Sequence, residues 1–541
     1  MYVSKVPERQ ETHTNARLSS GVLPPFHPST PTPIYPVMFT PLPQMTCETS
    51  RDVPAPPVVH IPREIRRSIK VNEVYSRALD KHGPVIIVPR HGRNEHVIDH
   101  RYAHEVLTNT KNFTTRMEFS GPRFAFEKAA FELLHLGFLA LFDNGAFVHD
   151  IDSLVENNVQ PRMNAIIEQI FPVFQQYFDR IADELLNPAV NKTAVEVPDM
   201  FHQIQLAVAH AMVVMILGQA HASSIIAGHF AAVAVAMANM TGMHENTHEW
   251  VRLPWLWVLV NGFPAVLFTI IPRLFFHIVP VLWTARNEHL KNGLAARHGH
   301  FVPLFDILLT KHYHGKTELS ALAGFFRCII LCIGLIFASI HQTVVAGLWI
   351  LTKLTQEQDE YLPALRKEWE RVNPAGESLN IKKLTQLTFL DSFIREVLRT
   401  KGDTWGPVRQ TTRPVRVGPY VLPKDAICSV LVSRAHQHPD NYGTEGTVCN
   451  GFQWAEKGRP AIKIILHMFF SKFDMKLKGN VYRVTNTINT TSVAPEVTFM
   501  LRRRDGILPG PGPVPDLWPG YCWQLWVAPS RHRQQDAFRS D

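Results

Sequence analysis

Three groups of residues combine types and spacings that could do chemistry, and the first is an acid and a base on one predicted helix. Glu396 and Arg399 stand three residues apart in an apolar stretch whose hydrophobic residues recur at helical spacing. Their side chains are therefore neighbours on one helix face. If buried, such a pair needs further hydrogen bonds to be tolerated. The two interpretations are a surface ion pair and an interior brace.

The second group is a polar tract, His341, Gln342 and Thr343, which follows the small residues Ala338 and Ser339. The tract interrupts an uncharged apolar run over residues 328–352 that is long enough to span a membrane. Because polar groups are costly in lipid, we predict a buried core helix with a polar kink instead. A histidine such as His341 titrates near neutral pH and could relay protons. A polar patch without a function is the alternative.

The third group, His244-Glu245-Asn246-Thr247-His248, has the spacing of a zinc-binding helix. In such a helix two histidines hold the metal and the glutamate acts as general base. The next acidic residue after Glu249 is Glu288, so no third ligand is evident. A zinc metallopeptidase is therefore a remote alternative, and a solvated helix end is the other interpretation.

Composition excludes several classes of protein. The chain has 541 residues, 45% of them hydrophobic and 19% charged, which excludes a wholly disordered or collagen-like protein. A net charge of +8 without a long basic run gives no reason to expect a nucleic-acid partner. Six scattered cysteines are not a disulfide framework, and we predict that Cys328 and Cys332 are buried thiols.

The two ends of the chain differ from its middle. Residues 1–66 are rich in proline and lack a sustained apolar period, so we expect a disordered N-terminal tail. Residues 505–541, rich in proline and glycine, form a second predicted tail. Between them, residues 67–504 predict a large helical domain with small sheets at its margins, a mainly α (α+β) fold. Strand patterns occur at 85–88, 415–432 and 481–501.

One further apolar stretch, residues 253–283, predicts contact with a membrane. It carries Trp255, Trp257 and Trp283 near its ends, whereas Asn261 and Pro264 interrupt it. This pattern is typical of a surface that dips into a bilayer. No N-terminal anchor is evident in the sequence.

The order of motifs after the acid–base pair resembles the second half of a cytochrome P-450, the heme-thiolate monooxygenase superfamily, and its fungal members in particular. Gly406-Pro407-Val408-Arg409 comes next, then Leu422-Pro423-Lys424, and then His436-Gln437-His438-Pro439-Asp440. Upstream, residues 336–343 resemble the distal helix of that family. The resemblance covers roughly residues 66–504.

The resemblance implies a heme-dependent monooxygenase that inserts one oxygen atom from O2 into an apolar organic substrate. It implies that Glu396 and Arg399 brace the fold beside the heme and that Arg409 pairs with a heme propionate. Ala338 and Ser339 would let the helix approach the heme, and His341, Gln342 and Thr343 would be the catalytic residues on its oxygen side. A separate reductase would supply electrons. We expect membrane association, at the endoplasmic reticulum and facing the cytosol.

The heme loop is where the sequence departs from the family. In one alignment, Cys449-Asn450-Gly451 is the thiolate motif itself. In the other, Gly451-Phe452-Gln453-Trp454 is the segment that normally precedes the loop, and the loop is missing at a join near Ala461. We prefer the second alignment, because it keeps the local order and needs one gap. It makes Cys449 only a weak candidate for the metal ligand, leaves heme binding without its thiolate, and makes a noncatalytic remnant the alternative function.

Overall fold

Long apolar stretches of the sequence form the helical body of the protein. The computed structural model describes residues 54–60, 71–90, 93–114, 150–151, 153–185, 194–197, 199–240, 256, 258–292, 301–313, 318–374, 379–401, 408–455, 463–482 and 494–504. Apart from the segment 258–292, which includes the helix Val279–Asn292 and is described below, the α-helices are α1 (Val71–His82), α2 (Ala103–Thr108), α3 (Met163–Leu185), α4 (Met200–Leu217), α5 (Ser224–Met240), α6 (Leu304–His312), α7 (Glu318–Gln356), α8 (Gln358–Val372), α9 (Ile381–Thr385), α10 (Thr388–Thr400), α11 (Val432–Gln437), α12 (Pro439–Tyr442) and α13 (Lys463–Lys472).

Helix α7 is the central element of the helical core. It is 39 residues long and packs against α4, α5, α6 and α10. Its apolar residues belong to one large buried cluster shared with those helices. Cys328 and Cys332 are fully buried in it, which confirms the prediction of two interior thiols. The helix continues without interruption through the polar tract at 338–343.

Three small sheets lie beside the helices. The strands are β1 (Val85–Arg90), β2 (Arg93–Ile98), β3 (Phe113–Thr114), β4 (Val195–Val197), β5 (Val408–Thr411), β6 (Val415–Val417), β7 (Tyr420–Leu422), β8 (Ile427–Val430), β9 (Phe473–Leu477) and β10 (Phe499–Arg503). The largest sheet has the order β1-β2-β8-β5-β3, a second has the order β4-β10-β9, and β6 and β7 form a hairpin. Only the β2–β8 pair in the first sheet is parallel among these described pairings.

The mainly helical fold with small marginal sheets is the predicted one. The strand pattern at 85–88 lies within β1, the pattern at 415–432 contains β6 to β8, and β10 begins inside the pattern at 481–501. Val58, in the predicted N-terminal tail, forms a parallel bridge with Ile87 of β1. The tail boundaries themselves remain predictions. The His244–His248 motif lies outside the described residues.

A helical arm, Ala265–Lys291, differs from the other long apolar helices in its exposure. Among the described residues, three helices are long and apolar enough to cross a membrane: Met200–Leu217, Ser320–Gln356 and this arm. The first two are 67% and 65% buried inside the protein over their most apolar windows, but the arm is only 17% buried. Phe268 and Phe276 are the most exposed apolar side chains on it. The burial of Ser320–Gln356 agrees with the predicted core helix.

Candidate functional site

Helix α10 places the acid–base pair in the interior. Leu390, Phe393 and Val397 recur at helical spacing and are buried against the core. The first turn of α10 is capped from α8, because the buried Glu368 carboxylate accepts hydrogen bonds from the backbone N–H groups of Phe389 and Leu390 at 2.8 and 3.0 Å. A carboxylate at this end of a helix also interacts favourably with the helix dipole. The helix is therefore fixed at its start and along one face.

Glu396 and Arg399 form an interior ion pair. Glu396 is fully buried and Arg399 is 8% exposed. The Arg399 Nε donates to Glu396 Oε2 at 2.8 Å, and Nη2 donates to Oε1 at 2.5 Å. This is the two-pronged geometry that makes an arginine–carboxylate pair strong. The sequence allowed either a surface ion pair or an interior brace, and the geometry of the pair is that of an interior brace.

The Glu396 carboxylate has further partners in the segment around residue 451. It accepts hydrogen bonds from the Gln453 side-chain amide, from Trp454 Nε1 at 3.2 Å and from the Asn450 N–H at 3.0 Å. Burial would raise the pKa of Glu396, but the hydrogen bonds from Arg399 and Asn450 lower it below the ordinary value. The carboxylate is therefore ionised at neutral pH. These contacts agree with the alignment in which residues 451–454 are the segment that normally precedes the heme loop.

The remaining donors of Arg399 hold the chain between α11 and residue 449. Nη1 donates to the carbonyls of His436 and Gly446, and Nη2 donates to the carbonyl of Val448 at 3.0 Å. The guanidinium also lies over the Tyr442 ring, 4.4 Å from its centre. With the two bonds to Glu396, all five N–H donors of the guanidinium are used. A buried charge with complete hydrogen bonding is stable in the interior.

The middle of α7 presents an open face within the apolar run 328–352, whose other described side chains are buried or half-buried. Gln342 is exposed, and Ser339 and Thr343 are half-buried, whereas Ile340, Val344 and Val345 are buried. Residues 339, 342 and 343 share one face because they are three and four positions apart. The side chains of Ala338 and His341 lie outside the described ones. Ser339, Gln342 and Thr343, which were predicted to lie on the oxygen side of the heme, are therefore accessible to solvent.

Arg409 stands on a different element from the pair on α10. It lies on β5, opposite Cys428 of β8 in the five-stranded sheet, and is half-buried. The predicted site residues therefore come from three elements: α7, α10 and β5. The structure joins Glu396 and Arg399 in direct contact.

The described residues fit one side of the expected heme and not the other. The open face of α7 has the small and polar side chains that the oxygen side requires. Among the described cysteines, Cys328 and Cys332 belong to α7 itself, and Cys428 is buried in the sheet. Cys449 is the remaining described candidate for a proximal thiolate. It is also the residue that the sequence analysis named as a weak candidate for the metal ligand.

Cys449 lies at the far end of α7 from the open face. Burial raises the pKa of its thiol, and its neighbours include Thr400, Lys353 and Glu357. Lys353 and Glu357 follow Thr343 by ten and fourteen residues, about 15 and 21 Å along a helix axis. A thiol in that position does not oppose the open face. Among the described residues, no cysteine other than those of α7 itself therefore lies next to the open face.

Two buried charged residues in this region were missed by reasoning from the sequence. Glu368 caps α10, as described above. Lys463, the first residue of α13, is fully buried, and its Nζ donates to the carbonyls of Leu384 and Leu387, both at 2.8 Å, with Asp391 3.6 Å away. No local pattern marks either residue, because their partners are 20 or more positions away. For Lys463 the available signal was a charge at the start of an apolar helix, whereas Glu368 lies in a helix rich in charged residues and has no such signal.

Comparisons with known proteins agree with this architecture. A family model described as "Cytochrome P450" matches residues 53–444. A retinoic acid-bound cyanobacterial CYP120A1 has a similar fold, with a TM-score of 0.55 and 13% identity over 84% of this chain and 100% of the other. A beta-amyrin 11-oxidase from Glycyrrhiza uralensis is 27% identical over 116 residues, which are 21% of this chain. The chain matches only 23% of the length of that relative.

Proposed function

Because the chain belongs to the cytochrome P450 family, we propose that it is a heme-dependent monooxygenase that inserts one oxygen atom from O2 into an apolar organic substrate. The family and the fold imply a heme cofactor, and they do not favour a noncatalytic remnant or a zinc peptidase. When bound, the heme would supply the activation of oxygen. The observation that carries the proposal is the family match over most of the chain.

The roles of individual residues are part of the proposal. Ser339 and Ala338 let α7 approach the heme, because small side chains leave room for a flat group. Gln342, Thr343 and His341 hold protons and water on that side of the heme. Arg409 pairs with a propionate, since an arginine fork matches a carboxylate. Support for the oxygen-side roles comes from the exposure of Gln342 within residues 328–352 of α7, where no other described side chain is exposed.

Glu396 and Arg399 act on the fold rather than on the substrate. Their hydrogen bonds hold the segment 436–454 against α10. We place them among the residues that shape the cofactor site and assign them no step of the reaction. Residues outside the described part of the chain would have to complete the proximal side.

The partners follow from the same family. It implies a small organic substrate and a redox partner that supplies electrons. We propose that this partner is a separate reductase, because the sequence has no glycine-rich dinucleotide motif of the G-x-G-x-x-G kind.

We also propose that the protein lies against a membrane, at the endoplasmic reticulum and facing the cytosol, through the segment 253–283. The support is the exposed apolar surface of the arm within it. Phe263, Phe268, Phe275 and Phe276 are between 42% and 74% exposed, and Trp283 lies near the end. Exposed aromatic and aliphatic side chains on one helix bind the boundary between headgroups and acyl chains.

The spectrum of the heme-loaded, reduced protein treated with carbon monoxide tests the function. A thiolate-bound iron gives a strongly red-shifted Soret band, so the proposal expects that band and oxidation of an apolar probe when a reductase is added. The Cys449→Ser variant identifies the ligand. A band lost in this variant would make Cys449 the thiolate, as in the first alignment, whereas a band that persists would require Cys47 or Cys522, which lie outside the described residues. A correctly folded protein that binds heme without the band and oxidises nothing would contradict the proposal.

A further inference from the structure

Two histidines and a carboxylate from distant parts of the sequence gather outside the site described above. They are His100, directly after β2, and His438 and Asp440, at the start of α12. One ring nitrogen of each histidine and one oxygen of Asp440 all lie within 4.8 Å of one another. Imidazole nitrogen and carboxylate oxygen are the ligands that first-row divalent metals take in proteins.

His100 is already oriented as a metal ligand would be. Its side chain is 5% exposed, and its Nδ1 lies 3.0 Å from Oδ1 of the fully buried Asp99. That nitrogen makes no hydrogen bond of good geometry to a described group. In metal sites the second nitrogen of a ligating histidine typically faces a carboxylate, which fixes the ring and its tautomer. With Nδ1 turned to Asp99, Nε2 is the nitrogen left for a ligand.

His438 and Asp440 stand at the spacing that a bound ion requires. The His438 Nδ1 lies 3.3 Å from Asp440 Oδ2. Two ligands held at about 2.0–2.1 Å by a tetrahedral ion are roughly 3.4 Å apart. The rings of His100 and His438 are 4.3 Å apart between centres. Because the Asp440 side chain is 68% exposed, an ion could enter from solvent.

The nearby cations are offset by one buried acid, Asp99, and one exposed acid, Asp80. Arg101 pairs with Asp99, and Arg434 pairs with both Asp99 and Asp80. The two arginines therefore face two carboxylates, and Asp440 adds a negative charge to the cluster. The Arg434 Nη2 lies 3.3 Å from the Nε2 of His438, so the ligand atom would be Nδ1, the nitrogen nearer Asp440. A bound ion would displace the hydrogen bond that Nδ1 accepts from the Asp440 N–H at 3.2 Å.

We propose that His100, His438 and Asp440 bind one divalent cation of the zinc type, with a fourth position open to water. The ion would tie the turn after β2 to α12, two parts of the fold that are far apart in the sequence. α12 ends at Tyr442, whose ring stacks on Arg399, so the metal stabilises the neighbourhood of the interior brace. The inference stands on these residues and not on the proposed oxygenase activity.

Zinc binding to the full chain, after removal of metal with a chelator, tests the proposal without any measurement of oxidation. We expect one equivalent of Zn²⁺ by calorimetric titration and elemental analysis, and no binding of Mg²⁺, which prefers oxygen ligands. His438→Asn keeps the helix cap, because asparagine also accepts the Asp440 N–H, but loses the imidazole. We expect His438→Asn and Asp440→Asn each to weaken zinc binding by about tenfold or more.

Two matched variants make the result decisive. His104→Asn removes an exposed histidine on the neighbouring helix α2 and is expected to leave zinc affinity unchanged. His244→Asn tests the other zinc-like motif of the chain. Binding that survives His438→Asn and Asp440→Asn, or that is lost in His244→Asn instead, overturns the proposal. Zinc is also expected to raise the melting temperature of the wild type by mass action, and not that of His438→Asn.

Discussion

The guanidinium of Arg399 meets both carboxylate oxygens of Glu396, one turn earlier on the same helix, at 2.8 and 2.5 Å. Both residues also bond to the segment that precedes α13. The pair is therefore the contact through which α10 and that segment stabilise each other.

Arg399→Ala is expected to destabilise the fold far more than it changes any site. The substitution leaves the buried Glu396 carboxylate without its charge partner, and breaking one side of a buried pair typically costs about 3–5 kcal/mol. It also frees the carbonyls of His436 and Val448. Urea denaturation measures the difference in the free energy of unfolding. Lys478→Ala, which removes the partner of Glu196 in an exposed ion pair, is the control and should cost less than about 1 kcal/mol. Equal melting temperatures for Arg399→Ala and the wild type would contradict the assignment of an interior brace.

Gly451→Ala is expected to destabilise the protein by about 1–3 kcal/mol through overpacking. A Cβ at position 451 would lie 2.7 Å from carbon atoms of both the Phe393 and Tyr361 rings. Gly347→Ala on α7 is the matched control, and it is expected to stabilise the protein. A Cβ there meets nothing within 4 Å, and alanine in a helix is favoured over glycine by about 0.5–1 kcal/mol. Thermal unfolding of both variants checks the pair, and a tolerated alanine at 451 would show that the ring contacts are looser than described.

Lys463 is expected to make stability depend on pH in the alkaline range. Burial, opposed by Asp391, lowers the pKa of its ammonium group from 10.5 to about 8. Between these values the unfolded chain binds the proton more tightly than the folded one, so the contribution of Lys463 to stability rises with pH. At about 1.4 kcal/mol per pKa unit the full rise is roughly 3 kcal/mol.

The measurement is the free energy of unfolding of the wild type and of Lys463→Met at several pH values across the interval from about 8 to 10.5. The difference, wild type minus variant, should increase over this range, because the variant has no group to titrate at this position. A difference that stays constant would mean that the Lys463 ammonium has its ordinary pKa.

Phe268→Glu and Phe276→Glu together are expected to reduce binding to phosphatidylcholine–phosphatidylserine vesicles by about tenfold or more. Both side chains are 74% exposed on the arm, and each phenylalanine transferred into lipid contributes roughly 1.5–3 kcal/mol. Flotation with vesicles measures the bound fraction. Val481→Glu changes an exposed apolar residue outside the arm and should leave binding unchanged. An equal loss of vesicle binding in all variants would show that the added negative charge, and not the loss of apolar side chains from the arm, reduces the binding.

The sequence was sufficient for the fold class and for the shared helix face of Glu396 and Arg399, and the family resemblance favoured an interior brace over a surface ion pair. Local periodicity indicated both the helix and the shared face, and the order of motifs indicated the family. The contacts of Gln453 and Trp454 with Glu396 were not predicted, although they agree with the preferred alignment, in which residues 451–454 precede a missing loop. The helix and its shared face depend on short-range spacing, which a single sequence carries well.

The other contacts depend on distances in space that spacing along the chain does not encode. The donors of Arg399 reach carbonyls 37 to 49 residues later, and Lys463 reaches carbonyls 76 and 79 residues earlier. Backbone carbonyls have no sequence signature, so no residue type marks these acceptors. The two apolar runs, similar in the sequence, differ because α7 has helices on several sides, whereas the arm is largely exposed.

The carbonyls held by Arg399 all belong to residues at or before Val448, and the carboxylate of Glu396 is satisfied by position 454. The number of residues between Ala455 and Lys463 can therefore change without breaking the hydrogen bonds of Glu396 and Arg399. A gain or loss of the thiolate loop at that junction would switch the chemistry of the protein in one genetic event, while the scaffold that receives the loop persists.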